Sequence, residues 1–163
     1  MVSKATESRA IVTRPVPPVN FPAEGRFREL LEASAWVHVD HLGWSAVANL
    51  PGLNHGNLNL SVDAGNPIPS FSPRGVALYV PTIERLRADY GDHHSVAALL
   101  QKAIDDGAFA VVATAGSEGA WVKTGPHDAV HVPATPATIM YYMGAGHVCQ
   151  GQGGQSTRMH SSH

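Results

Sequence analysis

The chain has 163 residues, 44% of them hydrophobic and 15% charged, with a formal net charge of -2. That length suits one domain, and burying roughly two thirds of the unfolded surface gives it a usable core. So small a charge offers no basic face to nucleic acid and no polybasic segment to a membrane surface. No apolar run approaches the ~20 residues of a membrane span, and the opening MVSKATE lacks the apolar core of a secretory signal. The expected location is cytoplasmic, and a single cysteine, Cys149, agrees with a reducing compartment. Ten histidines keep metal binding in view.

Residues 1–22 carry Pro15, Pro17, Pro18 and Pro22 beside a β-branched patch at Ile11, Val12 and Thr13, which predicts an extended arm with room for one strand. Between Glu24 and Ser34, the spacing of Phe27, Leu30 and Leu31 predicts a short amphipathic helix, and AWVHV at 35–39 a strand. NLNLSVD at 57–63 alternates polar and apolar residues, the period of a strand with one face covered, and runs into the turn AGNP. GVALYV at 75–80 is a continuous apolar run, as expected of a strand covered on both faces. Thr82 to Tyr90 reads as a helix capped by Thr82.

The strongest helical pattern runs from Ser95 to Asp106, where Val96, Leu99, Leu100, Ala103 and Ile104 share one face. Ser95 caps its start and Gly107 closes its end. AFAVVA at 108–113 is a second buried-type strand, and 120–124 and 129–132 read as a hairpin across the turn GPHD. Strands alternating with helices predict a mainly parallel α/β sheet with helices on its faces. The last thirteen residues, 151–163, hold almost nothing to bury and read as a flexible tail.

Two glycine motifs carry the chemistry. The strand ending at Ala113 enters TAGSEG, a T-x-G-x-x-G turn over Thr114, Gly116 and Gly119, whose glycines let backbone N–H groups approach an anion. Further on, Met143-Gly-Ala-Gly-His147 would open a helix whose unpaired N–H groups form an anion hole. In this order and spacing, AFAVVATAGSEGAWVKTGPHDAVHVPATPATIMYYMGAGHV resembles the C-terminal signature region of the ribokinase-like (PfkB) carbohydrate kinases. A weaker resemblance runs upstream to LLEASAWVHVD, so that residues from about 25 to 150 are covered.

The resemblance implies a ribokinase-like three-layer α/β/α sandwich that lacks the family's N-terminal half and most of its lid. Residues 1–22 would be an arm, a possible remnant of a lid strand; 23–150 the nucleotide-side domain; and 151–163 the tail. It implies ATP and Mg²⁺ as cofactors, with a nucleotide and a sugar as partners. The implied reaction is transfer of the γ-phosphoryl group to a sugar hydroxyl. Thr114, Gly116 and Gly119 would lie by the nucleotide, and Gly144, Ala145 and Gly146 would form the anion hole.

Three acidic positions of the family are altered. His147 stands where the family has its base aspartate, Tyr141 where an aspartate opens that motif, and Arg85 where the N-x-x-E glutamate helps organise Mg²⁺, unless Glu84 takes that place by a shift of one. The glycines at 151, 153 and 154 disfavour the helix that should follow. These departures describe a truncated or inactive relative. The alternatives are a non-catalytic nucleotide-binding or oligomerising module, with an open sheet edge inviting self-association, and a histidine-based metal site.

Plainer readings stand beside each residue. His147 is a base or a surface histidine, and Cys149 a thiol nucleophile or a small half-buried side chain. His38 and His41 share a face only on a helix, which the strand pattern there opposes, and no metal ligands are assigned. His93 and His94 read as solvated residues before a helix, and Trp36, Trp44 and Trp121 as packing residues, Trp44 also as a pocket wall. Arg85 is an anion ligand or a solvated charge, and Asp63 a ligand at a strand end or a turn residue bonding its own backbone.

Overall fold

A computed structural model describes residues 2–3, 8–9, 22, 24–51 and 57–135, and the chain divides into two compact units, 18–135 and 1–17 with 136–163. In the second of these, β1 (Val2–Ser3) and β2 (Ser8–Arg9) form an antiparallel ribbon in which Val2 faces Arg9 and Ser3 faces Ser8. The predicted strand at 11–13, the anion-hole residues Gly144, Ala145 and Gly146, the base position His147, Tyr141, Cys149 and the 151–163 tail lie outside the described residues.

The larger unit is built on a six-stranded sheet whose order follows the chain: β3 (Val37–Val39), β4 (Leu60–Ala64), β5 (Leu78–Pro81), β6 (Ala110–Thr114), β7 (Ala120–Thr124) and β8 (Val130–Val132). The first four strands are parallel; β7 and β8 run antiparallel as successive hairpins. Between them lie α1 (Arg26–Ala33), α2 (Gly43–Ala48), α3 (Ile83–Tyr90) and α4 (Val96–Asp105).

The caps act as the sequence predicts. The Thr82 hydroxyl accepts from the Arg85 N–H at 3.0 Å, and the Ser95 hydroxyl from the Ala98 N–H at 3.3 Å. Each satisfies one of the donors that a helix start leaves unpaired. Gly107, at φ +107°, ends the α4 turn in a conformation that β-carbon-bearing residues avoid.

Several expectations are corrected. The 57–63 strand begins three residues later, at Leu60, and is covered on both sides: Leu60, Ser61 and Val62 are all buried. Its polar member is tolerated because Ser61 Oγ lies 3.2 Å from His38 Nδ1 on the neighbouring strand. Conversely, the run at 108–113 was expected to be buried throughout, whereas β6 alternates, with Val111 and Ala113 fully buried and their neighbours half-buried. The helix α2 has no counterpart among the predicted elements.

Burial explains the layering. Val39, Leu60, Val62, Ala64, Tyr79, Val111 and Ala113 point to one side of the sheet and form a single cluster with Leu31, Val47, Ile83, Leu86, Leu99, Leu100 and Ala103 of the helices. Ser61, Leu78, Val80 and Val112, on the other side, take no part in that cluster. The four described helices thus cover one face of the sheet.

Candidate functional site

Parallel strands bring their carboxyl ends to one edge, where the chain leaves each strand by a loop and backbone polar groups are free to meet a ligand. Four such exits gather here: Asp40 and His41 after β3, Gly65 and Asn66 after β4, Thr82 after β5, and Ala115 and Gly116 after β6. Thr82 and Thr114 are joined by a parallel bridge beyond the regular ladder, which fixes the last two exits side by side.

Each exit has its own local logic. Asp40 accepts from the N–H groups of Leu42 at 3.0 Å and Gly43 at 2.8 Å and so starts α2. Partial burial opposes its ionisation, but those two N–H groups and the nearby His41 outweigh this and hold the carboxyl below its ordinary value. A depressed carboxyl contributes stability above its unfolded-state pKa and loses it as pH falls through the lower folded-state value. Asp40→Ala is therefore expected to cost about 1 kcal/mol at neutral pH. Urea midpoints of the two forms should converge in acid, below the ordinary carboxylate range.

Asp63 bonds the Gly65 N–H at 2.9 Å, the turn reading of that residue. Asn66 Nδ2 lies 3.5 Å from His41 Nδ1. His38 and His41 fall on a strand and the loop after it, engaged with different partners. Among the described residues, no three His, Cys, Asp or Glu side chains gather as a metal ligand set.

The T-x-G-x-x-G turn occupies the last exit. Thr114 ends β6, a 3-10 turn spans Gly116–Glu118, and Gly119 caps that turn just before β7. The turn closes on itself through Ala115 N to Gly119 O at 2.8 Å and Gly119 N to Gly116 O at 3.2 Å. Its two glycines answer to different needs. Gly116, at φ +56°, is exposed, and a β-carbon there would meet nothing. Gly119, at φ +100°, has no such freedom: a β-carbon would run into the Val132 carbonyl oxygen and lie 2.6 Å from Ala134 N. Gly119 thus has a structural reason in the close passage of β8.

Around this turn, Trp121 stacks on His131 at 4.7 Å, and His131 Nε2 lies 2.8 Å from the Glu118 carbonyl. Lys123, 6% exposed, bonds the His127 carbonyl and clasps the β7–β8 turn. Sequence patterns gave no sign of that clasp, because the lysine interrupts an apolar strand.

Arg85 makes a two-pronged pair with Asp89, its Nε 2.9 Å from Asp89 Oδ2 and its Nη2 on Asp89 Oδ1. The hydrogen bond to Asp89 raises the guanidinium's pKa against the opposing effect of burial. Arg85 is thus a partly exposed charge whose guanidinium is held by Asp89 along the same helix. Glu84 beside it is exposed.

No family model matches the chain, and no curated protein sequence matches it. Solved structures do. Ribokinase from Thermotoga maritima superposes over 92% of this chain and 52% of its own length, with a TM-score of 0.70 and 17% identity. Ribokinase II from E. coli, an assigned but unproven ribokinase in complex with ATP and Mg²⁺, superposes over 80% of this chain and 50% of its own, with a TM-score of 0.57 and 17% identity. For Arabidopsis thaliana ribokinase, complexed with ribose and ATP, the figures are 68%, 38%, 0.55 and 16%. The fold is therefore the α/β fold of the ribokinase-like carbohydrate kinases, as the motif resemblance implied. The chain spans about half the length, or less, of the kinases it resembles. Among the described residues no helix is long and apolar enough to cross a membrane.

Proposed function

We propose that this chain carries the nucleotide side of a sugar-kinase-type phosphotransferase site and binds ATP at the carboxyl ends of β5 and β6. The observation that carries this reading is the exposed Gly116 turn, standing open at the edge where Thr82 and Thr114 are bridged. A loop that presents backbone N–H groups without a side chain in the way suits a phosphate-bearing ligand. Thr114, Gly116 and Gly119 flank the nucleotide in this proposal, Gly119 by holding the hairpin in shape. Gly144, Ala145 and Gly146 form the phosphate-binding turn, and His147 takes the place of the base that removes the proton from a sugar hydroxyl.

The described residues offer Mg²⁺ no cage of their own, and Arg85, at the position of the metal-organising glutamate, is committed to Asp89. Mg²⁺ belongs to the proposal as the companion of the triphosphate, the way that ion is commonly bound. The same commitment of Arg85 favours nucleotide binding over turnover, since phosphoryl transfer rests on placed charge.

The test is a thermal-shift titration with ATP and Mg²⁺. Ligand that binds only the folded state must raise the melting temperature, because at 100 times Kd it adds about 2.7 kcal/mol of stability. Gly116→Val should abolish that rise; at φ +56° a β-branched residue is strained even though its β-carbon meets open space, so the unliganded melting point should fall as well and the response to ATP is read against that new baseline. With a panel of sugars, little ADP is expected. No shift at millimolar ATP would refute the nucleotide reading, and fast turnover would refute the limit placed on catalysis.

A further inference from the structure

The crossover from β4 to β5 carries no helix. Parallel neighbours are usually joined by one, but residues 65–77 run instead as a loop with prolines at 67, 69 and 73. The loop is pinned at its middle and towards its far end. Phe71 inserts between Trp44, edge-on at 4.8 Å, and Tyr79 at 5.1 Å, while Gly75 N bonds Gly107 O at 3.1 Å. Three fixed φ angles further reduce its freedom.

Under this loop lies a cavity of about 530 Å³, walled by Phe71, Tyr79, Arg85, Asp89, Tyr90 and Asp106 among others. That volume falls in the range of small-molecule sites. Tyr79 is 2% exposed, yet its hydroxyl has no hydrogen-bond partner among the described residues. A buried hydroxyl left so is costly and calls for a partner. Burial first, then the charge of Asp89, opposed by that of Arg85, and last the charge of Asp106 act on the Tyr79 phenol and raise its pKa, so the hydroxyl stays neutral.

The charges decide which partner. Among the described residues Arg85 is the one cation on the wall, and Asp89 already neutralises it through both guanidinium bonds. Asp106 accepts from the Tyr90 hydroxyl through Oδ2 at 2.8 Å, and its other oxygen has no hydrogen bond among the described residues. What remains unspent is one negative charge, one carboxylate oxygen and one phenol oxygen, beside the rings of Phe71, Tyr79 and Tyr90. Aromatic faces and a carboxylate attract an organic cation and repel an anion. We propose that this cavity binds a small primary ammonium compound with an apolar or aromatic body, its N–H groups shared between Tyr79 and Asp106.

Phenethylamine is a suitable probe, with phenethyl alcohol and phenylacetate as neutral and anionic counterparts of the same shape. Titrated into the full chain and followed by amide NMR shifts, the amine should bind at least about tenfold more tightly than either counterpart. Tyr79→Phe, which removes only the hydroxyl, and Asp106→Asn, which removes the charge and turns one acceptor oxygen into an amide donor, should each weaken the amine about fivefold or more. Asp106→Asn should weaken the alcohol less than the amine. Should Tyr79→Phe fail to fold, Asp106→Asn at its exposed position decides alone. Equal binding of all three probes, no binding of the amine, or an amine affinity unmoved in a folded Asp106→Asn variant would overturn the proposal.

Discussion

Gly119→Ala is expected to destabilise the protein by about 3–4 kcal/mol, a large part of the stability of an ordinary domain. Two costs combine. At φ +100° an L-residue sits in a conformation worth roughly 1–2 kcal/mol against it. The added β-carbon also meets backbone: the Val132 carbonyl, Ala134 N at 2.6 Å and Pro133 C at 2.7 Å. No side chain can rotate aside to make room, so β8 must move. It is a strand of three exposed residues whose only strand partner among the described residues is β7, through the Ala120–Val132, Trp121–His131 and Val122–Val130 pairs. Urea denaturation should show the loss, and amide exchange should show β8 opening first. Gly116→Ala, with φ +56° and open space, should cost only about 1 kcal/mol. Equal costs at the two glycines would contradict the packing described for the hairpin.

Leu99→Ala should cost a similar amount, about 3–4 kcal/mol, for a different reason. Leu99 is fully buried on α4, which packs against α3, β6 and β7. Alanine is the better helix former, so helix propensity cannot account for a loss. The cost comes from apolar surface no longer removed from water and from a hole that rigid neighbours fill only in part. The unfolding midpoint should fall with an unchanged denaturant slope. A change under about 1 kcal/mol would mean that α4 does not bury this face as described.

The two substitutions bear differently on the proposed nucleotide site. Leu99→Ala lowers stability without touching the strand exits, so a folded Leu99→Ala protein should still respond to ATP if Gly116 and its neighbours hold the nucleotide. Gly119→Ala disturbs the hairpin itself and should weaken that response along with the fold.

What the residues announced on their own is what depends on near neighbours in the chain. The α4 stripe and its Ser95 and Gly107 ends are local, since a helix bonds residues four apart and its caps sit within a turn. The Thr82 cap and the T-x-G-x-x-G turn were legible for the same reason. The six-residue α2 was not: GWSAVA is too short to show a helical period, and its only sequence cue is Asp40, whose carboxylate gathers the Leu42 and Gly43 N–H groups.

Strand limits and burial belong to the tertiary structure. Which residues of 57–64 join the sheet depends on partners in β3 and β5, and Ser61 can be buried only because His38 lies across from it. Gly119 was legible as a glycine of a motif, but the reason for it arrives thirteen residues later, when β8 passes over it. Tyr79, Arg85, Asp89, Tyr90 and Asp106 share a wall only because β5, α3 and the end of α4 are folded together. Short-range hydrogen bonding wrote the helices and turns into the sequence. Packing between distant segments decided what is buried, which glycine is indispensable and where a ligand can enter, because those depend on contacts that no local pattern encodes.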